Sequence, residues 1–268
     1  VEPSVKDKEQ TVTLADTKGR VEFRDVSFAY PDAEEKTLDD ISFTAEPGKT
    51  TAIIGGTGCG KSTLISLIPR FYDVTEGSIT LDGVDVRDMK QHDLRENIGY
   101  VPQKGLLFSG TIGTNLQYGR EDASLAEMTD AAETAQAMEF INEKENGFDE
   151  EVSQGGTNVS GGQKQRLSIA RALVKKPKVY IFDDSFSALD FRTDKALREA
   201  LASKVGDSTI IIVAQRINTI IDADQIIVLE EGRIAGRGTH EELLANCSVY
   251  KEIALSQLSE KELERGRA

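Results

Sequence analysis

Cysteine is scarce in this chain. Cys59 and Cys247 are the only two among 268 residues. That is too few for a disulfide framework, so no disulfide partner is expected, and a reducing compartment fits. Long apolar runs are missing as well. The most apolar stretch, Thr209–Ala214, falls far below the roughly 18 residues a membrane-spanning helix needs. No signal-peptide pattern opens the sequence. Basic residues are in deficit: 32 Lys and Arg face 46 Asp and Glu, for a net charge of −14. A broad nucleic-acid surface needs Lys/Arg stripes, so nucleic acid is not an expected partner. Hydrophobic residues at 38% and charged residues at 29% are ordinary for a soluble globular chain of one large domain or two small ones. The chain opens on Val1 rather than Met, and the expectation is a processed protein or a piece of something longer.

One stretch organises the rest. Ile53-Ile54-Gly55-Gly56-Thr57-Gly58-Cys59-Gly60-Lys61-Ser62-Thr63-Leu64 contains G-x-x-x-x-G-K-[ST], the phosphate-binding P-loop. The apolar run Thr51–Ile54 reads as a buried strand. Gly55, Gly56, Gly58 and Gly60 allow backbone angles that a Cβ forbids, and the loop can wrap phosphates with its own N–H groups. Lys61 brings a point charge, and the Ser62 hydroxyl can ligate Mg²⁺. A helix opening near Lys61 aims its positive end at the same anion. An acidic protein can still bind ATP this way, because the capture is local.

The chain order supports an α/β frame. Residues 1–19 are polar, without apolar period, and read as a linker or arm. Val21 to Tyr30 alternate like a strand with one slip, and Leu38–Ala45 is a second strand. A helix follows the P-loop to about Pro69. Gly77–Leu81 with Asp82-Gly83 reads as a hairpin arm, and Ile98–Val101 as a short strand before Gln103. From Lys104 to Leu173 helical patterns dominate, for example Ser124–Lys144 with Leu125, Met128, Ala131, Ala132, Ala135, Met138 and Ile141, and polar loops interrupt, notably Glu151–Asn158. Val159-Ser160-Gly161-Gly162-Gln163 opens a helix to about Val174, capped by Ser160. That pattern fits an ordinary helix start and a close phosphate approach alike.

Lys178–Asp184 is a strand ending in two carboxylates, and a strand-end Asp downstream of a P-loop is the expected Mg²⁺ partner. Ser187 to Asp190 follows, with Asp190 capping a helix to Leu201. Ser208–Val213 reads as a central strand, with Gln215 just beyond it. Gln225–Leu229 and Arg233–Gly236 form a last hairpin. Thr239 to Glu242 is a capping box, which makes His240 a helix-start residue rather than a ligand. Lys251–Ala268 reads as a charged helical tail. Tyr30, placed before a turn, fits either a strand-end ring packed on the core or a platform for adenine. Cys59, beside amide donors at a helix start, is expected to be a reactive thiol or a small space-filler.

These motifs, in this order, resemble the nucleotide-binding domain of ABC transporters over roughly Arg20–Ser256. The resemblance implies a P-loop (RecA-like) α/β core, residues 20–103 and 174–240, with an antiparallel β-arm and an inserted α-helical subdomain, 104–173. C-terminal helices would follow over 241–268. It implies ATP and Mg²⁺ as ligands. The aromatic A-loop falls on Tyr30 and the ATP-holding loop on Gly55–Thr63. The Mg²⁺ set falls on Ser62, Gln103 and Asp183. The signature, which reaches a partner's ATP, falls on Val159–Gln163, with Val for the usual Leu. The D-loop falls on Ser187–Asp190. Leu107 to Ile112 with Asn115 looks like the exporter branch. Transmembrane domains would then precede Val1, and the chain would work at the cytoplasmic face of a membrane transporter.

Departures from the family pattern fall at the hydrolytic step. The position after Asp183 is usually Glu and is Asp184 here. The switch position is usually His and is Gln215 here, which can hydrogen-bond but cannot change charge. Gln154 stands where the exporter loop usually has Glu. Catalysis would then involve Asp184, Gln215 and Gln103 in a pocket that binds well and turns over slowly. This looks like the degenerate-site subunit of a heterodimeric exporter, pairing with a non-identical second domain. A slow homodimeric exporter ATPase, or an ATP-dependent dimerisation switch not dedicated to transport, are the alternatives. With −14 net charge and an interface expected to be bridged by ATP, the isolated chain should repel itself. The expected outcome is a monomer by light scattering in low salt without nucleotide, and a stable dimer there would contradict it.

Overall fold

The computed structural model describes residues 5–31 and 33–258. Strands β1 (Val21–Phe28), β2 (Leu38–Ala45) and β3 (Thr50–Gly55) lead into helix α1 (Lys61–Ser66). Then come β4 (Glu76–Leu81), β5 (Val84–Asp85), α2 (Gln91–Glu96) and β6 (Ile98–Val101). A largely helical stretch holds β7 (Gly110–Thr111), α3 (Ile112–Gln117), α4 (Leu125–Thr134), α5 (Met138–Asn142), β8 (Glu151–Val152) and α6 (Gly161–Lys175). The chain returns through β9 (Val179–Asp183), α7 (Phe191–Lys204), β10 (Thr209–Val213) and α8 (Ile217–Ile220). It closes with β11 (Gln225–Glu230), β12 (Arg233–Gly238), α9 (His240–Asn246) and α10 (Ser248–Gln257).

Apolar runs become the central strands. A six-stranded sheet has the order β12-β11-β3-β10-β9-β6. All neighbours are parallel except the terminal β11–β12 hairpin. Every residue of β9 and β10 is buried, as expected of parallel strands covered on both faces. Alternation then divides the core in two. Ala52, Ile54, Tyr180, Phe182, Ile210 and Ile212 point into one cluster, shared with α4, α6 and α10. Ile53, Val179, Ile181, Ile211, Val213 and Ile227 point into the other, which the β-arm and α1 complete. That arm is an antiparallel sheet of order β2-β1-β4-β5. The slip in β1 is a bulge at Asp25, whose φ is +48° and around which both neighbouring registers shift.

The fold is therefore of P-loop type, with an antiparallel sheet and helical insertions. Some local expectations need correction. Helix α1 stops at Ser66 rather than near Pro69, because Ile68 precedes a proline and the α region is disfavoured there. The helical pattern over Ser124–Lys144 is carried by two helices: Gln136 is left-handed at φ +56° and ends the first. Leu125, expected inside, is 62% exposed. Between the helices of 104–173, β7 and β8 pair as a two-stranded ribbon.

Residues 5–19 have no helix or strand, yet they are tied to the arm. The Asp82 carboxylate accepts from the backbone N–H groups of Lys18, Gly19 and Arg20 at 2.8, 3.1 and 2.8 Å, and buried Arg70 donates to the Lys6 carbonyl at 2.9 Å. The expected tail beyond Leu258 lies outside the described residues. Among those described, no helix is long and apolar enough to cross a membrane.

His240 opens α9 as expected, but its ring is only 4% exposed. Its Nδ1 lies 2.7 Å from the Tyr250 hydroxyl, and Nε2 has no partner among the described residues. Burial holds its pKa below the usual imidazole value, against the weaker pull of Glu241 and Asp222. The unfolded chain therefore takes up the proton first. Stability is full above the unfolded pKa, near 6.5, and is lost as pH falls below it. Melting temperature should drop from about pH 7.5 to about pH 5.5, and drop less in His240→Gln. Equal drops in both proteins would refute this.

Candidate nucleotide site

The parallel register assembles the site. Val213 of β10 pairs with Ile53 of β3 on one side and Asp183 of β9 on the other. The C-terminal ends of three strands thus meet, and the P-loop, Asp183-Asp184 and Gln215 emerge at one edge. They line a cleft of ≈ 260 Å³ that includes Thr57, Gly58, Lys61, Ser62, Thr63 and Gln103.

The loop glycines differ in their reasons. Gly58 and Gly60 have φ of +81° and +101°. Gly55 is needed for space, since a Cβ there would sit 2.2 Å from the Leu229 carbonyl oxygen. Gly56 meets neither constraint: nothing lies within 4 Å of its Cβ position and its φ is not positive. Lys61 Nζ donates to the carbonyls of Gly55 and Gly56 at 2.8 and 2.7 Å, which centres the ammonium in the loop. No side chain caps α1, so its first amides are available to an anion.

Opposite the loop, Ser62 Oγ donates to Asp183 Oδ1 at 2.9 Å and Tyr100 Oη to Asp183 Oδ2 at 3.3 Å. Burial pushes the Asp183 carboxyl up, and those two hydroxyls oppose the shift. Burial beside Asp183 also raises the Tyr100 phenol, which keeps it a donor. Asp184 Oδ2 accepts from two neutral amides, Gln103 Nε2 at 3.1 Å and Gln215 Nε2 at 2.8 Å. Gln103 thus gives its amide to Asp184 rather than to the Ser62–Asp183 pair. Ser187 Oγ donates to the Asp184 carbonyl at 2.8 Å, and Asp190 caps α7 through the amides of Arg192 and Thr193.

Tyr30 stands at the rim, 36% exposed. Its hydroxyl is 2.9 Å from Thr63 Oγ1, and its ring meets Phe28 and Tyr72 edge-on, so it packs as a strand-end ring with one side open at the rim. Val159–Gln163 do not join the cleft. Ser160 and Gln163 form a reciprocal capping box at 3.0 and 3.2 Å, and Ser160 and Gly161 are exposed. Tyr100 and Thr37, which also lines the cleft, were not anticipated. A strand-end aromatic three residues before Gln103 was the available signal for Tyr100.

A profile of the ABC transporter family matches residues 38–187. The chain belongs to that family. It is 50% identical over 242 residues to an uncharacterized ABC transporter ATP-binding protein of Mycobacterium tuberculosis, covering 89% of this chain and 41% of the relative. It is 44% identical over 243 residues to an ATP-dependent lipid A-core flippase of Haemophilus influenzae, covering 90% and 41%. A solved bacterial Atm1-family ABC exporter with ATP bound superposes with a TM-score of 0.92 at 40% identity, covering 96% of this chain and 45% of that one. The chain spans under half the length of these relatives and is an ABC-family ATPase domain. Domains of this kind bind ATP with Mg²⁺. The donor set fits: Mg²⁺ takes hard oxygens, one or two carboxylates plus substrate phosphates, and Ser62 and Asp183 offer a hydroxyl and a carboxylate side by side.

One expectation for this ABC domain changes. Cys59 is 9% exposed and packs in the core beneath the loop, its Sγ against Gly55. This burial supports the space-filling reading, although the Lys61 ammonium also lies 3.7 Å from Sγ. Maleimide should label Cys59 far more slowly in the folded chain than in urea, and comparable rates in the two would contradict the packing.

Proposed function

We propose that this chain is the motor domain of an ABC exporter whose own P-loop pocket binds Mg-ATP and turns it over slowly, while its signature completes the competent pocket of a non-identical partner. The carrying observation is the Asp184 carboxylate, held at one oxygen by two neutral amides, beside an intact loop, Lys61, Ser62 and Asp183. In this reading Asp184, Gln215 and Gln103 are the groups at the hydrolytic step, and Gly55–Thr63 hold the phosphates with Tyr30 toward the base. The shorter Asp stem draws the carboxylate back by one methylene, and water activation is sensitive to such displacement. Gln215 cannot take a proton in place of histidine.

The exposure of Ser160 and Gly161 away from the chain's own cleft supports a signature that serves a second domain. Ser187 and Asp190 would form the D-loop between the two. An apolar groove of ≈ 280 Å³ beside Gln103, walled by Phe71, Tyr100, Leu106 and Tyr118, supports docking of transmembrane domains on the cytoplasmic side. Residues 1–19 would lead from them, with the core in 20–103 and 174–240, the helical subdomain in 104–173 and the terminal helices in 241–268.

The test is steady-state phosphate release by the parent chain, Asp184→Glu, Gln215→His and the double variant across a concentration series. A positioned base is worth about 10²–10⁴-fold. The double variant should therefore gain strongly and more than either single change, because both groups act on one water and one γ-phosphate. Its rate should rise faster than linearly with concentration if two copies form each pocket. A parent chain as fast as the double variant would replace this reading with a homodimeric ATPase. Nucleotide-driven dimerisation without turnover in any variant would favour the switch.

A further inference from the structure

Tyr100 stands behind the nucleotide cleft, in the wall of the apolar groove beside it, and reaches the cleft only through Asp183; it is part of none of the motifs that built the cleft. It stands one residue before the end of β6, whose pairing with β9 sets Tyr100 beside Ile181 and Val101 beside Phe182. From there its hydroxyl reaches Asp183 Oδ2 at 3.3 Å, while the Ser62 hydroxyl holds Oδ1 at 2.9 Å. Each carboxylate oxygen therefore has its own hydroxyl donor, one from the P-loop helix and one from the far edge of the sheet.

The tyrosine is itself held from behind. Phe71 meets its ring edge-on, with centroids 5.5 Å apart. The Arg95 guanidinium lies 5.5 Å over the Phe71 ring and is anchored on the carbonyls of Pro69 and Arg70 at 3.0 and 3.1 Å. A hydroxyl at the end of a ring fixed this way has little room to move. A carboxylate on a one-carbon stem, by contrast, has a broad torsional well about its last bond. Two donors on opposite oxygens narrow that well. Mg²⁺ tolerates little departure from octahedral geometry, and groups standing behind a metal's oxygens commonly set its affinity. A serine hydroxyl can offer a lone pair to a cation and still donate its proton to a carboxylate, so the Ser62–Asp183 contact is compatible with a bound metal.

We propose that Tyr100 is a positioning residue for the metal of Mg-ATP: its hydroxyl holds Asp183 Oδ2 so that Oδ1 and Ser62 face the cation together. This rests on the reading of Ser62 and Asp183 as the metal site. Tyr100→Phe removes the one hydroxyl and keeps the ring contacts with Phe71. Mn²⁺ serves as the probe, its uptake titrated by electron paramagnetic resonance with the full chain and a non-hydrolysable ATP analogue. Binding of the same analogue in EDTA is measured alongside by calorimetry.

The expected result is a loss of Mn²⁺ affinity of about tenfold, the lower end for a group behind a metal ligand because 3.3 Å is long for two oxygens. Metal-free affinity for the analogue should stay unchanged. Unaltered Mn²⁺ affinity in Tyr100→Phe overturns the proposal. So does an equal loss of metal-bound and metal-free binding, which would mark Tyr100 as packing only. If the unmodified chain binds the analogue but takes up no Mn²⁺ with it, the reading of Ser62 and Asp183 falls first, and the role of Tyr100 falls with it.

Discussion

The site depends on the alignment of three buried parallel strands. Ile53, Val213 and Asp183 stand level across β3, β10 and β9, and the chemistry begins where those strands end. Apolar burial enforces the level. Each fully buried Ile or Val side chain contributes about 1.5–3 kcal/mol, and these strands carry such residues on both faces. A slip of one residue would exchange the two faces of a strand, sending Ile53 toward the helices and Ile54 toward the β-arm. It would also carry the P-loop away from Asp183. The 2.9 Å contact between Ser62 and Asp183 is thus set by strand register more than by any force of its own.

What could be read from residues alone follows from this. Strands β3, β9 and β10 were legible because a sheet covered on both sides needs unbroken apolar runs, and few other elements do. The P-loop was legible because its chemistry demands particular residues at fixed spacing. The break between α4 and α5 was not, since apolar period continues across Gln136 and only its left-handed backbone separates the helices. The individual needs of the glycines were hidden too. Gly55 is required by Leu229, some 170 positions away along the chain, and such a constraint exists only after β3 and β11 have paired. Tyr100 is of the same kind: its partner is supplied by β9, and an aromatic near the end of β6 does not by itself say that a carboxylate lies across the sheet.

Electrostatically, the cleft sorts its groups by charge and partner. Lys61 carries the positive charge at the centre of the loop. Asp183, although buried, has hydroxyls that favour its ionised form. Asp184 faces only amide donors, so the group beside the reacting end meets no titrating neighbour through Gln215. A histidine there would add a proton that could come and go near neutral pH, and this cleft has none. In the proposed reading, holding the nucleotide and cleaving it are therefore assigned to different residues, which can vary separately.

The backbone at Asp184 shows why such variation need not disturb the fold. Its φ is +46°, a left-handed conformation that Asp adopts more readily than most residues. Its N–H donates to the Val213 carbonyl at 2.9 Å, and the next residue, Ser185, is anchored by its hydroxyl to the Val101 carbonyl at 2.9 Å. The turn after β9 is consequently held from both neighbouring strands, β10 and β6, by contacts that do not use the Asp184 side chain. Changing that side chain alters how far a carboxylate reaches, while Asp183, the strand edge and the route toward Ser187 stay where the sheet sets them. A pocket could lose catalytic reach this way and keep its nucleotide and its docking surfaces, because reach belongs to one side chain and the rest belongs to the register of the sheet.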